Sequence, residues 1–198
     1  MNPFSGRLFV LALAVLLGAF GQKPLKKGVY AHFETSMGTF TAELEDQLAP
    51  RTVANFVGLA QGTKEWKDPR SGQTVTGKPF YDGLIFHRVV ADFVIQTGDP
   101  LGTGTGGPGF SIPDEFSPQL PHDREGILSM GNKGTKNSGG SQFFVTLGPA
   151  TALNGVNSAF GHVIQGMDVV RKIGRIRTRN EVPVTPVVLQ KVVIEIVK

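Results

Sequence analysis

The sequence contains no cysteine. Structural disulfides, thiolate metal sites and a lipid attached to an N-terminal cysteine are therefore all excluded. Long apolar runs are missing as well, because the longest one, over residues 8–20, is shorter than the roughly 20 residues that a helix needs to cross a bilayer. These two absences leave a globular chain without covalent cross-links as the simplest reading.

Histidines are few and lie in no recognisable catalytic or metal-binding pattern. There is no HExxH motif, no pair at helical ligand spacing, and no neighbouring carboxylate of the kind that marks a catalytic triad. Each histidine is therefore interpreted as a surface or hydrogen-bonded structural residue, and no metal site is predicted. The four histidines are His32, His87, His122 and His162.

Two glycine patterns resemble phosphate-binding loops by spacing alone, and both lack the required context. In residues 72–79 the P-loop spacing ends in Pro79, where a hydroxyl residue would hold magnesium. Gly102, Gly104 and Gly107 match GxGxxG, but Pro108 and Gly109 follow where a helix should begin. No cofactor is therefore predicted.

The N-terminus has the layout of a secretory signal. A short segment containing Arg7 precedes the apolar run over residues 8–20, and Ala19 and Gly21 are small residues suited to cleavage after Gly21. We predict a signal peptide over residues 1–21, a short linker over 22–28 and one domain over 29–198. The protein is then exported, either periplasmic or secreted, without stable membrane insertion after processing. The alternative is a chain tethered to the membrane by an uncleaved N-terminal segment.

Glycine and proline are abundant, with 26 and 13 copies spread along the chain rather than pooled in a linker. This distribution favours short strands joined by many turns. Basic residues gather between residues 171 and 179, but no aromatic side chains interleave with them as in single-strand binding surfaces. A solvated helix end is the simpler interpretation, and no nucleic-acid partner is predicted.

Periodicity predicts a mainly β fold with two helices. Alternation over residues 29–44 indicates a hairpin, and Val53, Phe56, Val57 and Ala60 have the spacing of an amphipathic helix that begins at Pro50 and stops near Gly62. Residues 63–79 are interpreted as a surface loop. Short strands over 81–160, a helix over 167–173 and a strand over 187–198 complete the prediction. The absence of βαβ alternation favours a closed antiparallel barrel.

Several ordered motifs then identify a family resemblance: FHR, GDPLGTGTGG, GILSM, GSQFF and FGHV. With these motifs the sequence resembles the cyclophilin family of peptidyl-prolyl cis-trans isomerases over about residues 29–198. The resemblance implies a closed eight-stranded antiparallel β-barrel capped by two α-helices, in agreement with the periodicity. It also implies that the chain acts on proline-containing polypeptides, and we expect a monomer.

The resemblance assigns the site residue by residue. Arg88 matches the catalytic arginine, while Gln96 and Asn132 match residues that hold the substrate backbone. Two positions depart from the commonest pattern, Ala152 where an aromatic residue is usual and Asn157 where histidine or tyrosine is usual; both bear on ligand specificity. The expected substrate-binding residues are Phe93, Val94, Gln142, Phe144, Leu153, Asn157 and Ala152.

These residue types suit amide rotation. The barrier is about 18–20 kcal/mol because the nitrogen lone pair is delocalised into the carbonyl, and no bond has to be broken. An apolar groove can hold the proline ring, and an arginine can donate to a nitrogen that has become pyramidal. The alternative is a module that grips proline-containing segments as a chaperone or scaffold with little turnover, and Arg88 favours the enzyme because a binder gains little from such a donor.

Overall fold

A computed structural model describes residues 24–198. The predicted signal peptide over residues 1–21 lies outside the described residues, as does the start of the linker. Within residues 24–198 no helix has both the length and the apolar character needed to cross a membrane.

Most of the regular structure is β-strand. Within residues 24–198 the two α-helices are α1 (Pro50–Gln61) and α2 (Met167–Gly174), and one 3-10 turn spans Thr151–Leu153. The strands are β1 (Gly28–Thr35), β2 (Gly38–Leu44), β3 (Trp66–Lys67), β4 (Thr74–Val75), β5 (Leu84–Ile85), β6 (Arg88–Val90), β7 (Val94–Thr97), β8 (Ile127–Met130), β9 (Phe143–Thr146), β10 (Ala159–Gln165), β11 (Thr178–Arg179), β12 (Val182–Pro183) and β13 (Val188–Val197).

The main sheet is curled, and its two edge strands, β5 and β6, follow one another directly in the sequence. Its nine strands have the order β5-β13-β1-β2-β10-β8-β9-β7-β6, and every ladder is antiparallel. The edge strands β5 and β6 are separated only by Phe86 and His87. The predicted fold class, mainly β with two helices, is confirmed. The predicted count of eight strands and the predicted closure both need correction, because residues 84–90 form two edge strands, which pair with β13 and with β7 and not with each other.

The core fills the inside of the curled sheet and is dominated by aromatic rings. Phe33 on β1 lies opposite Phe40 on β2, and their rings stack with centroids 4.4 Å apart. Phe56 from α1 contacts Phe143 of β9 edge-on at 5.4 Å. Since aromatic side chains bury large apolar areas, the contact between Phe56 and Phe143 helps to fix α1 against the curled sheet.

Both helices begin and end close to the predicted positions. Pro50 occupies the first turn of α1, where its missing N–H is not needed, and Gly62 ends the helix in the left-handed conformation with φ 71°. In α2, Val170 and Ile173 are fully buried and face the core. The predicted ranges for both helices are therefore confirmed to within one or two residues.

The prediction of a surface loop over residues 63–79 is partly wrong. The segment contains the small hairpin of β3 and β4, in which Trp66 pairs with Val75. The Trp66 ring also packs edge-on against Phe80, with centroids 4.8 Å apart. Strands of two residues are too short to produce a periodic signal, and an aromatic contact with the core holds the hairpin in place.

Candidate active site

A row of side chains runs across four neighbouring strands on the face of the sheet that points away from the core. Arg88 on β6 lies opposite Gln96 on β7, Gln96 lies opposite Phe144 on β9, and Phe144 lies opposite Ser129 on β8. Residues in register share a face, and successive residues of a strand alternate between faces. Phe143 belongs to the core cluster and Phe144 does not, so the row faces outward.

The polar part of the row is a chain of hydrogen bonds that starts at the arginine. Arg88 Nη1 donates to Gln96 Oε1 at 3.4 Å, and Gln96 Nε2 donates to Gln142 Oε1 at 3.0 Å. Gln142 Nε2 then donates to the carbonyl oxygens of Gly104 and Gly106, both at 2.9 Å. These contacts link the guanidinium to the glycine-rich loop and fix the orientation of both amides.

A buried carboxylate organises that loop from within. Asp99 is 1% exposed and accepts hydrogen bonds from the backbone N–H groups of Leu101, Thr103 and Gly104. Burial by itself raises the pKa of Asp99, but the surrounding backbone N–H groups together outweigh it and hold the pKa below its ordinary value. Asp99 therefore stays ionised and fixes the carbonyls that receive Gln142.

The apolar part of the site lies beside the arginine. The Arg88 guanidinium lies 6.0 Å from the centre of the Phe93 ring, within the range of a cation–π contact. Val94 is 1% exposed and Phe144 is 5% exposed, yet neither belongs to the core cluster. Leu153, in the 3-10 turn, is half-buried. Of the predicted ring-binding residues, Phe93 thus lies beside Arg88, and Val94 and Phe144 are well packed on the paired strands β7 and β9.

His122 supports Phe144 and was not among the predicted site residues. Its ring stacks on Phe144 with centroids 6.2 Å apart and an interplanar angle of 28°. Nδ1 donates to Asn154 Oδ1 at 3.0 Å, and Ser129 Oγ donates to Nε2 at 2.9 Å. Burial lowers the pKa of His122, against a smaller opposing effect of Asn154, so the ring is neutral at pH 7. The sequence-based reading of a hydrogen-bonded structural histidine fits this geometry.

The two predicted asparagines tie loops together at the other end of the groove. Asn132 Nδ2 donates to the Val156 carbonyl at 2.8 Å, and Asn132 Oδ1 accepts from the N–H of Gly134 at 3.0 Å. Asn157 Nδ2 donates to the Met130 carbonyl at 2.9 Å. Ala152 is exposed on the 3-10 turn and makes no comparable contact through its methyl group.

A cavity of about 700 Å³ lies next to this row, on the side of the glycine-rich loop, and neither Arg88 nor the residues predicted to hold the proline ring line it. Its walls include Gln96, Gln142 and Asn132 together with the backbone of the glycine-rich loop. Within residues 24–198 there is no group of three or more histidine or acidic side chains arranged to hold a metal ion. The described arrangement is an open groove with one arginine, several amides and an apolar floor.

Glu181 was also missed by the sequence-based prediction, although it contacts the predicted catalytic residue. Its carboxylate Oε2 accepts a hydrogen bond from Arg88 Nε at 2.7 Å. The two residues are 93 positions apart in the chain. No short-range sequence pattern relates residues so far apart, so the contact can be recognised only from the folded structure.

The combination of a curled antiparallel sheet, two covering helices and an arginine-containing groove can be compared with known proteins. The family model described as "Cyclophilin type peptidyl-prolyl cis-trans isomerase/CLD" matches residues 30–194. The chain belongs to this cyclophilin family. The predicted enzyme class, peptidyl-prolyl cis-trans isomerase, is confirmed with it.

Curated relatives and solved structures give the same family. Peptidyl-prolyl cis-trans isomerase A of Mycobacterium tuberculosis is 45% identical over 167 residues, which cover 83% of this chain and 91% of the relative. Peptidyl-prolyl cis-trans isomerase B of Streptomyces anulatus is 43% identical over 171 residues, covering 84% and 97%. A cyclophilin-type isomerase structure from Cryptosporidium parvum has a TM-score of 0.72 at 32% identity, covering 84% of this chain and 96% of that one. The individual roles of the site residues stay predictions.

Proposed function

We propose that this isomerase accelerates rotation about X-Pro bonds in exported polypeptides, with Arg88 as the group that stabilises the twisted amide. The observation that carries the proposal is the placement of the guanidinium. Arg88 is 36% exposed at the edge of the groove, beside Phe93, with Gln96 holding one nitrogen. A donor in this position can reach a bound proline while its own geometry stays fixed.

The proposed chemistry requires no covalent step. When the amide twists, its nitrogen loses conjugation and becomes a hydrogen-bond acceptor, and a positioned N–H donor stabilises that state more than the planar ground state. The apolar residues Phe93, Val94, Phe144 and Leu153 would hold the proline ring. Asn132 and Gln96 would hold the flanking backbone while the preceding carbonyl swings.

Titration takes no part in this mechanism. His87, next to Arg88 in the chain, is 5% exposed. Burial lowers its pKa, and the charge of Arg88 acts in the same direction, against the opposing effects of Asp99 and Gln142. His87 is therefore neutral at pH 7 and above.

A protease-coupled assay with short Xaa-Pro peptides tests the proposed function. The uncatalysed exchange takes roughly 10–100 s, and the purified chain should shorten it in proportion to enzyme concentration. Turnover should stay nearly constant between about pH 7 and 9, because no group of the mechanism changes its charge there. Absence of catalysis would leave only the binding-module alternative, and a bell-shaped profile that disappears on replacing His87 would reassign the chemistry.

Proline-containing polypeptides are the proposed partners. The Cryptosporidium parvum isomerase was also crystallised in the presence of the dipeptide Ala-Pro, which supports a groove that accepts proline in proteins of this fold. Here the cavity of about 700 Å³, lined by Gln96, Asn132 and Gln142, would take a residue next to the proline, because side-chain amides can bind peptide backbone. Unfolded or folding chains, whose prolines are accessible, suit such a groove.

Export is proposed from the N-terminal sequence. The apolar run over residues 8–20 and the small residues at 19 and 21 are typical of a cleaved signal. Mass spectrometry of the protein from its native host should find a mature N-terminus near Gln22. Recovery of the intact chain, beginning at Met1, in the membrane fraction would instead support the tethered alternative.

A further inference from the structure

The β11–β12 hairpin is fastened to the active-site strand at two points. The backbone N–H of Val89 donates to the Glu181 carbonyl at 2.8 Å. The side chain of the same glutamate accepts the Arg88 Nε hydrogen at 2.7 Å. The tip of the hairpin therefore has a fixed position relative to β6, and the Glu181 carboxylate is held against the Arg88 guanidinium.

The backbone at the tip does not favour glutamate. Asn180 and Glu181 form the two-residue turn between β11 and β12, with φ values of 51° and 65°. A turn with two consecutive left-handed residues accepts asparagine first and favours glycine second, because a Cβ is strained in that region. Since glycine would satisfy the turn with less strain, the reason for glutamate at position 181 lies in its side chain.

The contact restricts a side chain that would otherwise be mobile. A half-exposed arginine has many rotamers, and fixing them has an entropic cost. Glu181 binds Nε and Gln96 binds Nη1, so two of the three guanidinium nitrogens have fixed partners. The remaining Nη hydrogens keep one orientation and are available to a ligand in the groove.

Stability alone does not explain the pair. Glu181 is 51% exposed and Arg88 is 36% exposed, and ion pairs this open to water contribute little to folding because solvent screens them. Orientation, by contrast, does not require burial. A donor that is held in place before the substrate twists needs no rearrangement when the transition state forms.

We propose that Glu181 is a positioning residue, which orients the Arg88 guanidinium for donation to the prolyl nitrogen. This inference rests on the role proposed above for Arg88. Glu181, which is far from Arg88 in the sequence and next to it in space, would thus take part in the isomerase reaction through the arginine.

Replacing Glu181 with glycine separates positioning from structure. Glu181→Gly removes the carboxylate and relieves the turn, so the melting temperature should stay the same or rise. We expect kcat/KM to fall about tenfold, less than the roughly 100-fold that misplacing a reacting group can cost, because Gln96 still holds Nη1. The loss should lie mainly in kcat, because the apolar floor that binds proline is untouched.

Glu181→Gln is the matched variant. The glutamine carbonyl can still accept the Nε hydrogen, so activity should fall only about twofold, as for loss of the charge with the hydrogen bond retained. In an Arg88→Ala background, Glu181→Gly should cause no further loss, because residues that act through one contact are not additive. Equal losses in the glycine and glutamine variants would overturn the proposed orienting role.

Comparing these variants distinguishes the proposed role of Glu181 from the proposed function, which rests on Arg88. If Glu181→Gly has unchanged or higher kcat/KM while Arg88→Ala is nearly inactive, the positioning role is overturned and the proposed function stands. If folded Arg88→Ala is fully active, the proposed function itself fails, and the role of Glu181 fails with it. A fall in kcat for Glu181→Gly at unchanged melting temperature supports the inference.

Discussion

Arg88→Ala is expected to lower kcat/KM about 100- to 1000-fold, the range seen when one preorganised donor is removed from an active site. The physical reason is that, among the described residues, one guanidinium lies beside Phe93, and the neutral amides of Gln96 and Gln142 form weaker hydrogen bonds than a charged donor does. No neighbouring group can take over the donation. The protease-coupled assay measures this loss.

The variant should otherwise behave like the parent protein. Arg88 is partly exposed, so its removal should change the melting temperature little, and proline peptides should still bind in the apolar groove. Arg88→Lys should recover little activity, because an ammonium cannot reproduce the planar fork of donors. Arg124→Ala is a matched control, since Arg124 is also exposed and pairs only with its neighbour Asp123 among the described residues. Full activity of folded Arg88→Ala protein would refute the mechanism.

Phe143→Ala is expected to lower the free energy of unfolding by about 3–5 kcal/mol, the usual cost of truncating a buried phenylalanine. Phe143 is fully buried, and four other aromatic rings surround it at centroid distances between 5.4 and 6.4 Å. These rings come from β1, α1, β10 and the segment before β5, so they cannot collapse together into the space. Chemical denaturation followed by circular dichroism measures the loss.

Phe116→Ala provides the control for the same chemical change. Phe116 is 44% exposed, so its truncation removes little buried area and should change the free energy of unfolding by less than about 1 kcal/mol. A similar loss in the two variants would contradict the assignment of Phe143 to the centre of the core.

The sequence predicted those elements whose pattern is local. The α1 helix has apolar residues at helical spacing between Pro50 and Gly62, and both ends lie where these residues indicate. For strand β9 the sequence pattern could not show which side chains face the core, because all four of its residues are buried. Alternation cannot then tell the core-facing Phe143 from the outward-facing Phe144, and only the family motif marked Phe144 as a site residue.

Contacts between distant segments were beyond prediction. Glu181 reaches Arg88 through a hairpin of two-residue strands, which leaves no periodic trace in the sequence. His122 likewise lies in the loop before β8, where it stacks on Phe144 and bonds to Ser129, the residue opposite Phe144. Glu181 and His122 each contact a predicted site residue, and the family motifs contain no information about these two contacts.

The order of strands in the sheet also determines when the fold can be completed. β13 is the last strand of the chain, yet it pairs with both β1 and β5. Until residues 188–197 are available, β1 and β5 each present an unpaired edge, and exposed strand edges promote aggregation. A chain that is synthesised from its N-terminus therefore keeps these two edges open until β13 docks. Since such long-range pairing slows folding, the slow step of folding is also the interval in which the sheet is most exposed to pairing with other chains.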